Sequence, residues 1–128
     1  MTHKKNLLQL TVLGFIFSLV VVSGCTKENE EDLLLDQALC HVDTVSYSQH
    51  IQPYINAHCM PCHSTAQQEG GVIMETWLDV AAIAAGGTLL GVIKHEPGYP
   101  AMPNNAPKST DCAIEGFERW VSQGTLNN

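Results

Sequence analysis

Cys59, Met60, Pro61, Cys62 and His63 put two thiols three positions apart and an imidazole directly after the second. On a helical turn, side chains three apart share a face. Both sulfurs can therefore reach along one side of a flat macrocycle, while His63, one position on, is rotated toward its centre. A neutral imidazole is a good iron ligand, and two thioether tethers beside it would hold the metal against that ring. This C-x-x-C-H pattern is the attachment signature of a c-type haem.

The competing readings are a redox pair or a zinc pair that happens to precede a histidine. Five cysteines and six histidines in 128 residues make the full pattern a chance event about 0.01 times per chain of this composition. Zinc needs a second pair of ligands, and Cys40 and Cys112 are single cysteines far apart, with no finger-type partner around Cys112. No βαβ pattern frames a thioredoxin-like motif either.

The start of the chain bears on where such a group could be attached. His3, Lys4 and Lys5 form a short basic stretch, Leu7 to Val22 is a lightly interrupted apolar run, and Val22-Ser23-Gly24-Cys25 closes it. A short apolar run ending in small residues reads as a signal peptide over 1–24, not a membrane span. It also resembles the lipobox of bacterial lipoproteins, with Cys25 as the lipidated new N-terminus. An uncleaved signal anchor with an incidental cysteine is the alternative. Export would place the chain on the outer side of a bacterial membrane, periplasmic or at the cell surface, where disulfides persist.

The five cysteines then divide without remainder. Cys25 goes to lipid, Cys59 and Cys62 to haem, and Cys40 and Cys112 are left as an expected disulfide. Two buried free thiols remain open as the alternative, since pairing cannot be deduced from sequence.

Removing the signal leaves 104 residues, and four basic side chains against thirteen acidic ones, a net charge of −9. That balance excludes nucleic acid as an expected partner and favours a redox partner with a basic contact patch. A domain of this size can bury less of its surface than a larger one, so a haem would be a large part of its core.

The elements that must position the motif follow from periodicity. Residues 26–32 are acidic without an apolar period and read as the start of a lipid-attached tether over 25–39, with the domain over 40–128 and its boundary falling between 33 and 43. Ser48 is a candidate cap for a helix to about His58, with Ile51, Tyr54 and Ile55 on one side and Pro53 early in it. Thr76 followed by Asp79 marks a helix start, and Gly86-Gly87 its stop. A short helix from Thr88 to Lys94 carries Leu89, Leu90, Val92 and Ile93 as pocket lining or ordinary core. Glu96 to Pro107 holds too many prolines for regular structure. Ser109 or Thr110 caps a last helix to about Gln123, with Ala113, Phe117, Trp120 and Val121 on one stripe and Gly116 suggesting close approach by another helix. The expected fold is all-α, with three to five short helices around a covalently bound haem.

Taken together, Tyr47-Ser48 and Ile51-Gln52-Pro53, Cys59 to His63, the Gly87-Thr88-Leu89-Leu90-Gly91 turn, Met102-Pro103 and Ser109 to Trp120 resemble the class I cytochromes c. Within these, the single-haem lipoprotein cytochromes of Bacteroidetes-type bacteria are the nearest likeness, over about Cys40 to Asn128. The resemblance implies one haem c, attached through Cys59 and Cys62, with His63 as proximal and Met102 as distal iron ligand. It also implies crossed N- and C-terminal helices and a single-electron carrier that is not an enzyme. Many members have a proline after the motif whose carbonyl accepts the histidine Nδ1–H. None stands here between Pro61 and Pro97, and a carbonyl of the Gly70-Gly71 loop is the expected substitute.

Other distal ligands are less suited. Met60 lies inside the attachment turn, Met74 in an apolar run typical of core, and His41, His50 and His58 precede the motif as surface or polar-helix residues. His95 lies on the same loop as Met102 and would give a lower potential. The remaining function classes are a haem enzyme or gas-binding domain with an open sixth position, and a non-redox surface lipoprotein. No nucleophile or phosphate loop suggests substrate chemistry.

Overall fold

The computed structural model describes residues 30–40 and 42–128. The expected signal peptide, Cys25 and His41 lie outside the described residues. Those described are all-α, with no strand among them: α1 (Glu30–Cys40), α2 (Gln52–His58), α3 (Met60–His63), α4 (Trp77–Ala85), α5 (Thr88–Ile93) and α6 (Asp111–Ser122).

Local chemistry sets most of these boundaries. At α4, the Thr76 hydroxyl accepts from the Asp79 amide at 3.2 Å while Asp79 accepts from the Thr76 amide at 2.8 Å. Two donors that a helix start leaves over are thereby satisfied reciprocally. The Thr110 side chain caps α6 by accepting from Ala113 N–H at 3.2 Å, and Gly124, at φ +91°, follows its end. A single π-helical turn, Tyr47–Ile51, leads into α2. Its cap is Ser46, not Ser48. The Ser46 oxygen accepts from Gln49 N–H, and Ser48 instead donates its hydroxyl to the Asn128 carbonyl at 2.8 Å. Pro53 sits in the first turn of α2, where its missing donor costs nothing.

The N-terminal edge differs from the expectation. The tether expected to run to residue 39 is helix from Glu30 on. Leu39 is fully buried, and α1 crosses α6 at Gly116, where an added Cβ would lie 2.6 Å from Leu39 Cδ2. Cys40 is bonded to Cys112 at the start of α6, with their Cα atoms 4.6 Å apart. The Leu39 carbonyl, which the end of α1 leaves over, accepts from Arg119 Nη2. None of these partners is near α1 in sequence, which is why the short apolar run 33–39 does not declare a helix by itself.

The core gathers Ile51, Tyr54 and Ile55 of the α2 region, Val80 and Ala84 of α4, Leu89 and Ile93 of α5, and Ala113, Ile114, Phe117 and Trp120 of α6. Tyr54 meets the Phe117 ring edge-on at 5.4 Å, an arrangement favoured by the ring quadrupoles. The two indoles tie down the end of the described chain. Trp77 Nε1 donates to the Thr125 carbonyl at 2.8 Å and Trp120 Nε1 to that of Leu126 at 2.9 Å.

Candidate functional site

The C-x-x-C-H turn continues α2. Cys59 N–H donates to the Ile55 carbonyl at 2.9 Å, and the Cys59 carbonyl accepts from both Cys62 at 3.1 Å and His63 at 2.9 Å. This one extra turn, α3, presents Cys59 half-buried and Cys62 exposed. Next, the chain loops back through 64–73 so that Met74 N–H donates to the His63 carbonyl at 2.9 Å. Val72 and Met74 are thereby brought beside the histidine.

Two adjoining cavities, a smaller and a larger lobe, open against this turn and share six lining residues. The smaller, of about 220 Å³, is walled by Val72, Met74, Ile83, Leu89, Val92, Ile93 and Pro100, with Cys59, His63 and Met102 also at its surface. The larger, of about 440 Å³, shares Cys59, His63, Val72, Ile93, Pro100 and Met102, and runs out past Cys62, Glu69, Gly70 and Asn104. A mostly apolar hollow of this size with a few polar groups converging on it is what a small organic ligand or cofactor needs.

Met102 reaches this cavity on a loop whose backbone is bound to α5. Its N–H donates to the Val92 carbonyl at 3.0 Å, and its carbonyl accepts from His95 Nε2 at 3.1 Å. Tyr99 lays its ring over Gly91, where a Cβ would stand 2.5 Å from the ring carbon Cδ2. Only a residue without a side chain admits the loop so close to α5.

Comparison with family models, curated proteins and solved structures finds no match. The chemistry of the site is therefore read from its own residues.

Burial pushes the Cys59 thiol up to about 12, with the neighbouring Cys62 adding to the effect. Among the described residues no three His, Cys, Asp or Glu side chains cluster as ligands for a bare metal ion. What the cavity does assemble is a thiol and an imidazole from one turn and a thioether from a distant loop.

His63 Nδ1 is buried with no hydrogen-bond partner, so the expected carbonyl of the Gly70-Gly71 loop does not accept from it. Of the other residues weighed as ligands, Met74 is buried core that also lines the smaller lobe. His50 Nδ1 accepts from Ser46 N–H at 2.9 Å. His58, expected as a polar-helix residue, is half-buried against Tyr54 at 4.2 Å between ring centroids and lines the larger lobe. His95 lines neither lobe, its ring being turned to the Met102 carbonyl. Leu89, Val92 and Ile93 face the cavity and Leu90 does not, a division that periodicity over six residues is too short to make.

Proposed function

We propose that this protein is an exported, lipid-anchored monohaem c-type cytochrome that carries single electrons. One observation carries the reading: Cys59, His63 and Met102, from two distant parts of the chain, line both of two adjoining, largely apolar cavities. The donor set suits a haem. Cys59 and Cys62 would form its thioethers, and His63 and Met102 would ligate its iron. When bound, haem c supplies a metal centre that gains and loses one electron.

The remaining residues govern that change of charge. Val72, Leu89, Val92 and Ile93 keep water from the cavity, and a dry wall disfavours the extra charge of the ferric state. The Met102 thioether is soft and favours the ferrous state in the same direction. At the rim, exposed Cys62, Glu69 and Asn104 leave one edge of the group within reach of another protein. The net charge of −9 after Cys25 suits a basic patch on that partner. A lipid on Cys25 would keep the domain beside membrane redox partners. No helix among the described residues is long and apolar enough to cross a membrane itself.

An absorption spectrum of the protein expressed in a periplasm tests the reading. Low-spin haem that survives denaturing electrophoresis, and is lost in the Cys59→Ala/Cys62→Ala variant, is the expected result. Protein without covalent haem would end it, and a five-coordinate spectrum would transfer the site to ligand binding at an open iron. The anchor is tested separately. Cys25→Ser should incorporate no labelled fatty acid, and equal labelling of variant and wild type would refute lipidation there.

A further inference from the structure

His95 stands where a helix end ordinarily has glycine. Lys94 caps α5, His95 follows with φ +57°, and the pair of bonds that closes such an end is complete. Glu96 N–H donates to the Gly91 carbonyl at 2.9 Å and His95 N–H to that of Val92 at 3.3 Å. This is the left-handed termination in which glycine is preferred because a Cβ is strained at positive φ. Histidine tolerates the region better than most residues but is still uncommon there. Nothing in the termination itself uses an imidazole.

The ring has another task. Its Nε2–H donates at 3.1 Å to the Met102 carbonyl, seven residues on, while Met102 N–H is already held by Val92. Both polar groups of the Met102 peptide are thus fastened to α5, one by backbone and one by this side chain. The thioether hangs from the peptide so fixed. A methionine on a loop of prolines would otherwise be free to swing, since prolines supply no N–H with which to bind the loop down.

We infer that His95 is a positioning residue that locks the Met102 backbone and so holds the thioether in the cavity. The inference rests on Met102 being the distal ligand of the proposed haem, and it concerns a residue that does not touch the iron. A side chain that adds strain to the end of α5 while bonding the ligand's own carbonyl is selected for the second property, because glycine would serve the first better.

Three variants of the holoprotein separate these roles: His95→Gly, His95→Gln and Met102→Ala. The measurements are ferric affinity for exogenous imidazole, the weak far-red sulfur-to-iron charge-transfer band, and helical circular dichroism. His95→Gly should keep its helix, because the left-handed termination becomes easier, yet bind imidazole about fivefold tighter, the size of one lost hydrogen bond, with a weakened far-red band. His95→Gln, whose amide can donate to the same carbonyl, should return both readouts toward wild type. A merely structural histidine would not give loosened ligation with an intact fold. If Met102→Ala changes both readouts while His95→Gly matches wild type, or if His95→Gln behaves as His95→Gly, the positioning role is overturned and the ligand assignment stands. If Met102→Ala changes neither, the ligand assignment fails and the inference falls with it.

Discussion

Gly116 on α6 and Leu39 on α1 touch where the two helices cross: a Cβ on Gly116 would lie 2.6 Å from Leu39 Cδ2 and 2.8 Å from Leu39 Cβ. The second distance involves an atom next to the backbone, so α1 itself would have to shift. Gly116→Ala gains about 1 kcal/mol of helix propensity. Overpacking a core contact costs about 1–3 kcal/mol, so the clash should win and the variant should be less stable. Leu39→Ala should cost about 2–5 kcal/mol by itself. The double variant should lose clearly less than the two singles together, since each relieves what the other creates. Urea denaturation of the four proteins measures this, and strict additivity would show that the helices do not meet at these residues.

Cys40 and Cys112 are 72 residues apart in sequence, and their bond fastens the end of α1 to the start of α6 beside the same crossing. Closing a loop of that length removes conformational freedom from the unfolded chain worth about 4 kcal/mol in the chain-entropy model. Cys40→Ser/Cys112→Ser should therefore lower the denaturation midpoint markedly. In wild-type protein, alkylation under denaturing, non-reducing conditions should label neither sulfur. Two labelled thiols would disprove the bond in solution.

If the proposed haem is bound, Met102→Ala should abolish its far-red band, lower its reduction potential and admit external ligands to the iron, because no other thioether is carried on that loop. Voltammetry and imidazole titration check it. Should His95→Ala change the potential while Met102→Ala does not, the distal ligand is His95.

Asp79 Oδ2 accepts from the Thr76 amide at 2.8 Å and the Thr76 hydroxyl at 2.7 Å, bonds that hold its carboxyl below the usual range. A carboxyl depressed in the native state stabilises fully above its unfolded pKa, about 3.9 for aspartate. That contribution is lost as pH falls through the lower native value. Asp79→Asn should accordingly melt below wild type at neutral pH, with the gap closing in acid. A gap of the same size at both pH values would mean that the carboxylate charge is not its source.

What the amino-acid order determined by itself is the chemistry that lies within a turn or two. C-x-x-C-H at 59–63, the Thr76 and Asp79 cap, the stop at Gly86-Gly87 and a start of α6 at Ser109 or Thr110 are all legible because their partners are at most a few residues away. The spacing of Ile51, Tyr54 and Ile55, and of Ala113, Phe117 and Trp120, likewise declares a buried face before that face has a partner. Tertiary structure alone decided what covers each face. Leu39 finds Gly116 and fixes part of the expected tether as helix, and Ser46 displaces Ser48 as a cap. His63 Nδ1 finds no acceptor. His95, the less suited loop-borne ligand when read in sequence, is turned to the Met102 carbonyl. Such choices depend on contacts between segments far apart in the chain, and local propensity carries no record of them.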